Sequence, residues 1–292
     1  MDQAESLRQM MSQQAGGDVR VIAVTSGKGG VGKTNVTANL AILAAQAGRR
    51  VLIVDGDLGL ANVEIIFGLT PRYHLGHLLD GTAELEQVLA TGPEGVRVLP
   101  GGSGVRELSV LDDAQKLRFM TALDSIEDEF DLVLIDTGAG IGDNVVFFVV
   151  GAQEALLVLT PEPTSLSDAY AAVKVLSLEG GVEHFDVLVN QVATEQQARE
   201  IYEKLCTVSR RFLKARLKLV GHLPRDENIH RAVLSQRPVV QAFPNSPAAR
   251  AMKVVADKLL SEPPPQSSVG GLKFLWQRLL RSSGDAGVLT HP

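Results

Sequence analysis

Val19-Arg20-Val21-Ile22-Ala23-Val24-Thr25-Ser26-Gly27-Lys28-Gly29-Gly30-Val31-Gly32-Lys33-Thr34 is the stretch whose reading decides the fold. Val19 to Thr25 reads as a buried strand, and an alanine-rich helix runs on to about Gln46. Between them Gly27 to Thr34 match the P-loop pattern in the context that gives it meaning, after a strand and opening a helix. The glycines let successive backbone N–H groups turn inward where a side chain would obstruct them. The helix beginning near Gly32 adds its positive dipole end. Such a hollow suits phosphate. Lys33 is placed to bridge β- and γ-phosphates, and the Thr34 hydroxyl to coordinate Mg²⁺. Gly27, Lys28, Gly29, Gly30, Val31, Gly32, Lys33, Thr34 and Asn35 are thus the expected cradle for ATP.

Outward from the loop, strands and helices alternate. Arg50 to Val54 reads as a second strand, with Gly48 stopping the helix before it. Val96 to Leu99, Leu132 to Ile135, Ala155 to Leu159, Val187 to Val189 and Leu217 to Val220 read as further buried strands. Ser165 to Leu178 and Thr194 to Phe212 read as helices. Asp113 to Asp128 has helical periodicity with Leu117, Met120, Leu123 and Ile126 near one face. The alternation predicts an α/β fold, a P-loop NTPase with a mostly parallel twisted sheet and helices on both faces, in one domain over 19–260. Aromatic residues make up only 4% of the chain, so the core must be Val, Leu, Ile and Ala, which suits strands buried on both faces.

Composition narrows the function. The 292 residues carry a formal net charge of -6, which argues against nucleic acid as the main partner. The dense basic run Arg210 to Lys218 reads as a solvated helix end leading into a strand, with a nucleic-acid patch as the alternative. Cys206 is the single cysteine, which excludes a disulfide framework or a cysteine-built cluster within one chain; it reads as a small buried residue. Met1 to Gly17 lacks the apolar centre of a secretion signal, and no apolar run approaches the ~20 residues of a membrane span. A cytoplasmic protein is expected.

Two strand ends carry carboxylates. Val51 to Val54 run into Asp55-Gly56-Asp57, and Leu132 to Ile135 run into Asp136, the Walker B form that holds Mg²⁺. In a parallel sheet both strand ends open on the ligand crevice. With a P-loop present, ATP hydrolysis is the better reading than capping aspartates.

Lys28, a second lysine early in the loop, resembles the signature of the deviant Walker A ATPases, which include MinD and ParA proteins. The resemblance runs from about residue 20 to residue 260. It implies that Lys28 reaches across an ATP-dependent homodimer to the partner's nucleotide. It implies further that Asp57 orients the attacking water and that Asp55 supports the magnesium shell, giving Thr34, Asp55, Asp57 and Asp136 as metal-site residues and Asp57, Lys28 and Lys33 as catalytic ones. Asn190, Pro224, Arg225 and Asp226 resemble the family's base-recognition positions, with the Asn190 amide pairing with the adenine edge. Glu162 is expected near the ribose or the partner subunit.

The two ends narrow the family. Ser261 to Gly271 is rich in proline, serine and glycine and reads as a linker. In the following Leu272 to Arg281, wound as a helix, Leu272, Leu275, Trp276, Leu279 and Leu280 share a face opposite Lys273, Gln277, Arg278 and Arg281. That is the pattern of a helix lying on the inner face of the cytoplasmic membrane. Residues 282–292 are a tail. At the other end Asp2-Gln3-Ala4-Glu5-Ser6-Leu7-Arg8 is similar to the DQAxxLR element of the FlhG/FleN branch, the flagellar number regulators.

This resemblance implies that residues 1–18, through Asp2, Gln3, Leu7 and Arg8, stimulate the flagellar SRP-type GTPase, FlhF. A flagellar enhancer-binding transcription regulator and components of the flagellar C-ring are further partners it implies, and no direct sequence-specific DNA binding is expected. A MinD-like division-site ATPase and a ParA-like DNA-segregation ATPase are the rival readings.

Overall fold

The computed structural model describes residues 19–59, 62–102 and 110–262. The N-terminal element Asp2, Gln3, Leu7 and Arg8 and the tail positions Leu272, Leu275, Trp276, Leu279 and Leu280 lie outside the described residues. Seven strands run parallel: β1 (Arg20–Ser26), β2 (Val51–Gly56), β4 (Arg97–Leu99), β5 (Leu132–Ala139), β6 (Glu154–Leu159), β7 (His184–Val192) and β8 (Arg216–Pro224). A two-residue strand, β3 (Ala90–Thr91), pairs antiparallel with β4. The sheet order is β3-β4-β2-β5-β1-β6-β7-β8. The short β3 has no periodic signal in the sequence.

Alternation along each strand divides the core in two. Val21, Ala23, Leu52, Val133, Ile135, Leu157 and Val187 face α5 (Asp113–Asp124), α6 (Asp143–Val150), α7 (Pro163–Leu178) and α8 (Glu195–Phe212). Ile22, Val24, Ile53, Leu134, Leu156 and Leu188 face α1 (Lys33–Gln46), α10 (Val239–Ala242) and α11 (Pro247–Ser261). Strands buried on both faces therefore read as unbroken apolar runs. The shorter helices are α2 (Val63–Phe67), α3 (Leu75–Leu79), α4 (Leu85–Val88) and α9 (Glu227–Leu234). No helix among the described residues is long and apolar enough to cross a membrane. Cys206 is buried in α8.

α5 keeps most of the expected face, with Met120, Leu123 and Ile126 buried and only Leu117 outside. It ends at Asp124, and Leu117 is exposed while Phe119, Met120 and Leu123 are buried. Phe119 joins the inner face in place of Leu117, packing edge-on to Phe148 at 5.4 Å and Phe147 at 6.0 Å. A larger ring outweighs a leucine for the inside position.

β8 is an edge strand, yet its rim is closed. Arg216 donates its N–H to the Glu183 carbonyl, so Leu217 and Leu219 turn their backbone groups outward. The Tyr202 hydroxyl from α8 donates to the Leu217 carbonyl at 2.8 Å, and Lys258 from α11 donates to the Leu219 carbonyl at 2.9 Å. Capping the free carbonyls from both faces discourages pairing with another strand.

Candidate nucleotide site

β1 delivers the chain into the glycine loop at the end of the sheet where all seven parallel strands finish. Gly27 lies so close to α7 that a Cβ there would sit 2.0 Å from the Asp168 carbonyl oxygen. Gly30 and Gly32 hold φ of 76° and 96°, the left-handed region that glycine enters without strain. Asn190, at the end of β7, donates its side-chain N–H to the Val31 carbonyl at 2.7 Å. The loop is thus pinned at its start by α7 and at its end by β7.

Below the loop the carboxylates converge. Asp55 and Asp136 are register partners on β2 and β5. Asp136 is buried, and burial pushes its carboxyl up to about 6; hydrogen bonds from Thr34 and Thr37 and the charge of Lys33 pull the other way. Thr37 bonds Asp136 at 3.3 Å from one turn beyond Lys33, a residue the motif does not include. Its spacing from Lys33, on the same helical face, is the signal that could have found it.

Asp55 is held well above its usual value, first by burial and then by the neighbouring Asp136. Its Oδ2 accepts from the backbone N–H of Asn62 at 3.0 Å and of Val63 at 3.1 Å, and its Oδ1 from that of Asp57 at 3.2 Å. Both oxygens therefore shape the loop after β2. Lys33 is buried, and desolvation lowers its pKa against the pull of Asp136, Asp57 and Asp55.

A cavity of ≈ 640 Å³ opens over this cluster, lined by Gly30, Lys33, Thr34, Asn35, Asp57 and Gly138 among others. Ile65 and Val233 form apolar wall that the motifs did not flag.

Three carboxylates facing one lysine fit a divalent cation beside a polyphosphate. Among the described residues no three His, Cys, Asp or Glu side chains form a closed metal cage. Mg²⁺ takes one or two protein oxygens and completes its shell with phosphate and water, and Asp136 with its hydrogen-bonded Thr34 offers such oxygens.

Lys28 does not line this cavity. Its Nζ lies 2.5 Å from Glu162 Oε2 and 2.9 Å from Thr164 Oγ1, at the first turn of α7. The hydrogen bond from Lys28 holds the Glu162 carboxyl below its usual range. Pro224 closes β8, and the exposed Arg225 donates its N–H to the Val192 carbonyl at 3.0 Å. Asp226 caps two helices at once, accepting from Asn228 N–H at 2.9 Å in α9 and Ala248 N–H at 3.0 Å in α11. The structure thus spends the Asp226 carboxylate on packing, and the Asn190 amide on the P-loop.

The sequence profile of the CobQ/CobB/MinD/ParA nucleotide binding domain matches residues 22–239. The chain belongs to that family. Within this MinD/ParA family it is 48% identical over 263 residues to the antiactivator FleN of Pseudomonas aeruginosa, covering 90% of this chain and 94% of FleN. The flagellum site-determining protein YlxH of Helicobacter pylori is 31% identical, with 92% of each chain covered. Among solved structures, the cell division ATPase MinD of Pyrococcus furiosus superposes with a TM-score of 0.71 at 29% identity, covering 83% of this chain and 98% of MinD. The eight-stranded sheet and its P-loop are the MinD/ParA fold, and the chain stands in the FleN branch of that family.

Proposed function

We propose that this chain is a Mg²⁺-dependent ATPase switch that controls flagellar number and placement, dimerising on ATP and associating with the cytoplasmic membrane. The observation that carries the reading is the position of Lys28. Its cation is not spent on its own cavity; it waits on Glu162 and Thr164 at the rim, with 35% of the side chain exposed. A lysine so placed is available to a second copy's triphosphate.

In this reading the glycine loop N–H groups and Lys33 bind the β- and γ-phosphates. Thr34 and Asp136 would hold Mg²⁺, which would supply positive charge to the phosphates. Asp57 orients the attacking water, and Asp55 holds the loop that carries Asp57 in register. Among the described residues no arginine lines the cavity, so turnover stays slow until a partner acts. ATP joins two protomers, each with a tail reading as a surface helix, and two weak tails bind a bilayer far better than one. Hydrolysis releases them.

The flagellar assignment is supported by relatives named as an antiactivator and a flagellum site-determining protein. A septum site-determining MinD of Helicobacter pylori is 31% identical, level with YlxH and below FleN at 48%. The residues Asp2, Gln3, Leu7 and Arg8 act on the flagellar SRP-type GTPase, and the chain also restrains a flagellar transcription regulator. Purified chain mixed with that GTPase should raise GTP turnover, and removal of residues 1–17 should abolish the effect. No stimulation by the intact chain would favour the division-site reading instead.

A further inference from the structure

The chemistry occupies one end of the sheet, where the parallel strands finish. The first and last described residues, Val19 and Glu262, lie at the other. β1 begins at Arg20, whose guanidinium pairs with Glu154 at 2.6 Å and 2.7 Å and donates to the Glu262 carbonyl at 3.0 Å. Glu262, the last described residue, also pairs with Lys218 of β8. The last described residue therefore sits at the β8 corner, on the side away from the nucleotide cavity.

That corner is cationic. α8 runs down to it and ends in Arg210, Arg211 and Phe212; Lys214 follows, and Arg216 and Lys218 open β8. All six are exposed, and Phe212 is 62% exposed, with only the neighbouring Arg211 guanidinium over its ring. Of the five cations, only Lys218 has an ion pair among the described residues. A solvated helix end explains the cations; it does not explain the exposed phenyl ring among them. In a chain of net charge -6, such a corner, where five cations outnumber the exposed Glu183 beside Arg216, is where an anionic surface is attracted on balance.

We propose that this corner, with Arg210, Arg211, Phe212, Lys214 and Arg216 at its centre, rests on the anionic face of a lipid bilayer as a second contact beside the tail. The inference builds on the membrane association proposed above for the tail. Nine residues separate Glu262 from Leu272, a reach of at most about 36 Å, so tail and corner can meet one bilayer plane. Cations near an anionic leaflet are attracted to it, and an aromatic ring settles at the headgroup level. The nucleotide cavity then faces away from the bilayer, open to a second protomer and to soluble partners.

The test uses the full chain with ATP and Mg²⁺, sedimented with vesicles of phosphatidylglycerol in phosphatidylethanolamine or of phosphatidylcholine alone. Neutralising a cation should weaken anionic binding about fivefold, so Arg210→Gln/Arg211→Gln/Lys214→Gln together should cost on the order of a hundredfold. ATP-dependent dimerisation and basal ATP turnover should stay unchanged, and Phe212→Ser should weaken binding to both kinds of vesicle. Unaltered anionic binding by the triple variant overturns the corner while leaving the tail reading standing. Absence of vesicle binding by the unaltered chain overturns both. Binding of random-sequence duplex DNA that is lost in the triple variant, with vesicle binding intact, makes the corner a nucleic-acid surface and refutes the proposal.

Discussion

Asn190→Ala separates two roles that the sequence leaves merged. The side chain is buried, and its amide N–H reaches the Val31 carbonyl at 2.7 Å, inside the glycine loop. Its Oδ1 accepts from the backbone N–H of Gln191 at 2.8 Å, a residue held at φ 58°. Truncation leaves the Val31 carbonyl without this partner, a loss of about 1–3 kcal/mol for a buried acceptor. If that whole cost is felt as freedom of the loop, the binding-competent loop is depopulated and apparent affinity falls in proportion. About 2 kcal/mol corresponds to roughly thirtyfold. The loop touches phosphates, which ATP and GTP share, so both nucleotides should weaken alike. Titration calorimetry with each nucleotide, on native protein and variant, measures this directly. A loss confined to ATP, with GTP affinity untouched, would show that Asn190 reads the adenine edge and that the bracing argument is wrong.

Gly27→Ala should abolish nucleotide binding at ordinary concentrations, because its Cβ would lie 2.0 Å from the Asp168 carbonyl oxygen, 2.1 Å from the carbonyl carbon and 2.6 Å from the Ala169 nitrogen, and neither backbone can yield locally; calorimetry showing intact ATP uptake would refute the close packing. Lys28→Ala should leave ATP binding within a few-fold of native while removing the ATP-dependent dimer in analytical ultracentrifugation; a dimer that persists would dismiss the trans role. Asp186 makes a pH prediction. Burial first, then the Glu154 charge, pushes its carboxyl from 3.8 up to about 6 against the opposing pull of Lys218, Arg20 and Lys258. A raised carboxyl favours the fold below its unfolded pKa and loses that contribution as pH rises through about 6. Asp186→Asn should therefore gain stability over the native chain between about pH 4 and pH 7, by at most about 3 kcal/mol, in urea unfolding; equal curves at pH 4 and pH 8 would contradict it.

The sheet was legible because parallel strands buried on both faces are written as unbroken runs such as Val51-Leu52-Ile53-Val54, and each run ends where the chemistry begins. The P-loop was legible because its glycines answer a backbone need that no other residue meets. What stayed hidden was set by tertiary packing. Leu117 and Phe119 both suit the inner face of α5, and the choice between them depends on the Phe147–Phe148 pair of α6, 5.3 Å apart, which no local pattern announces. Asp226 looks like a site residue from its place after a strand, yet it joins the N-termini of α9 and α11, and that second helix lies 21 residues further along the chain. The partner of Lys28 was out of reach for the same reason: Glu162 and Thr164 lie 134 and 136 residues away.

The polarity of the sheet also bears on how nucleotide and membrane could communicate. Because seven strands run one way, everything that follows a strand gathers at the cavity, and everything that precedes one gathers at the opposite edge with Arg20 and Glu262. A closely packed sheet between them resists graded deformation, so a signal carried through the core would need a second packing of that core. A change in copy number needs none. If ATP pairs two protomers through Lys28 as proposed, the two β8 corners and two tails would be brought together at high effective concentration, and membrane affinity would rise without any rearrangement of the fold. In that scheme a covalently linked pair should bind anionic vesicles without ATP, and a chain that still requires nucleotide when linked would show that the sheet itself transmits the signal.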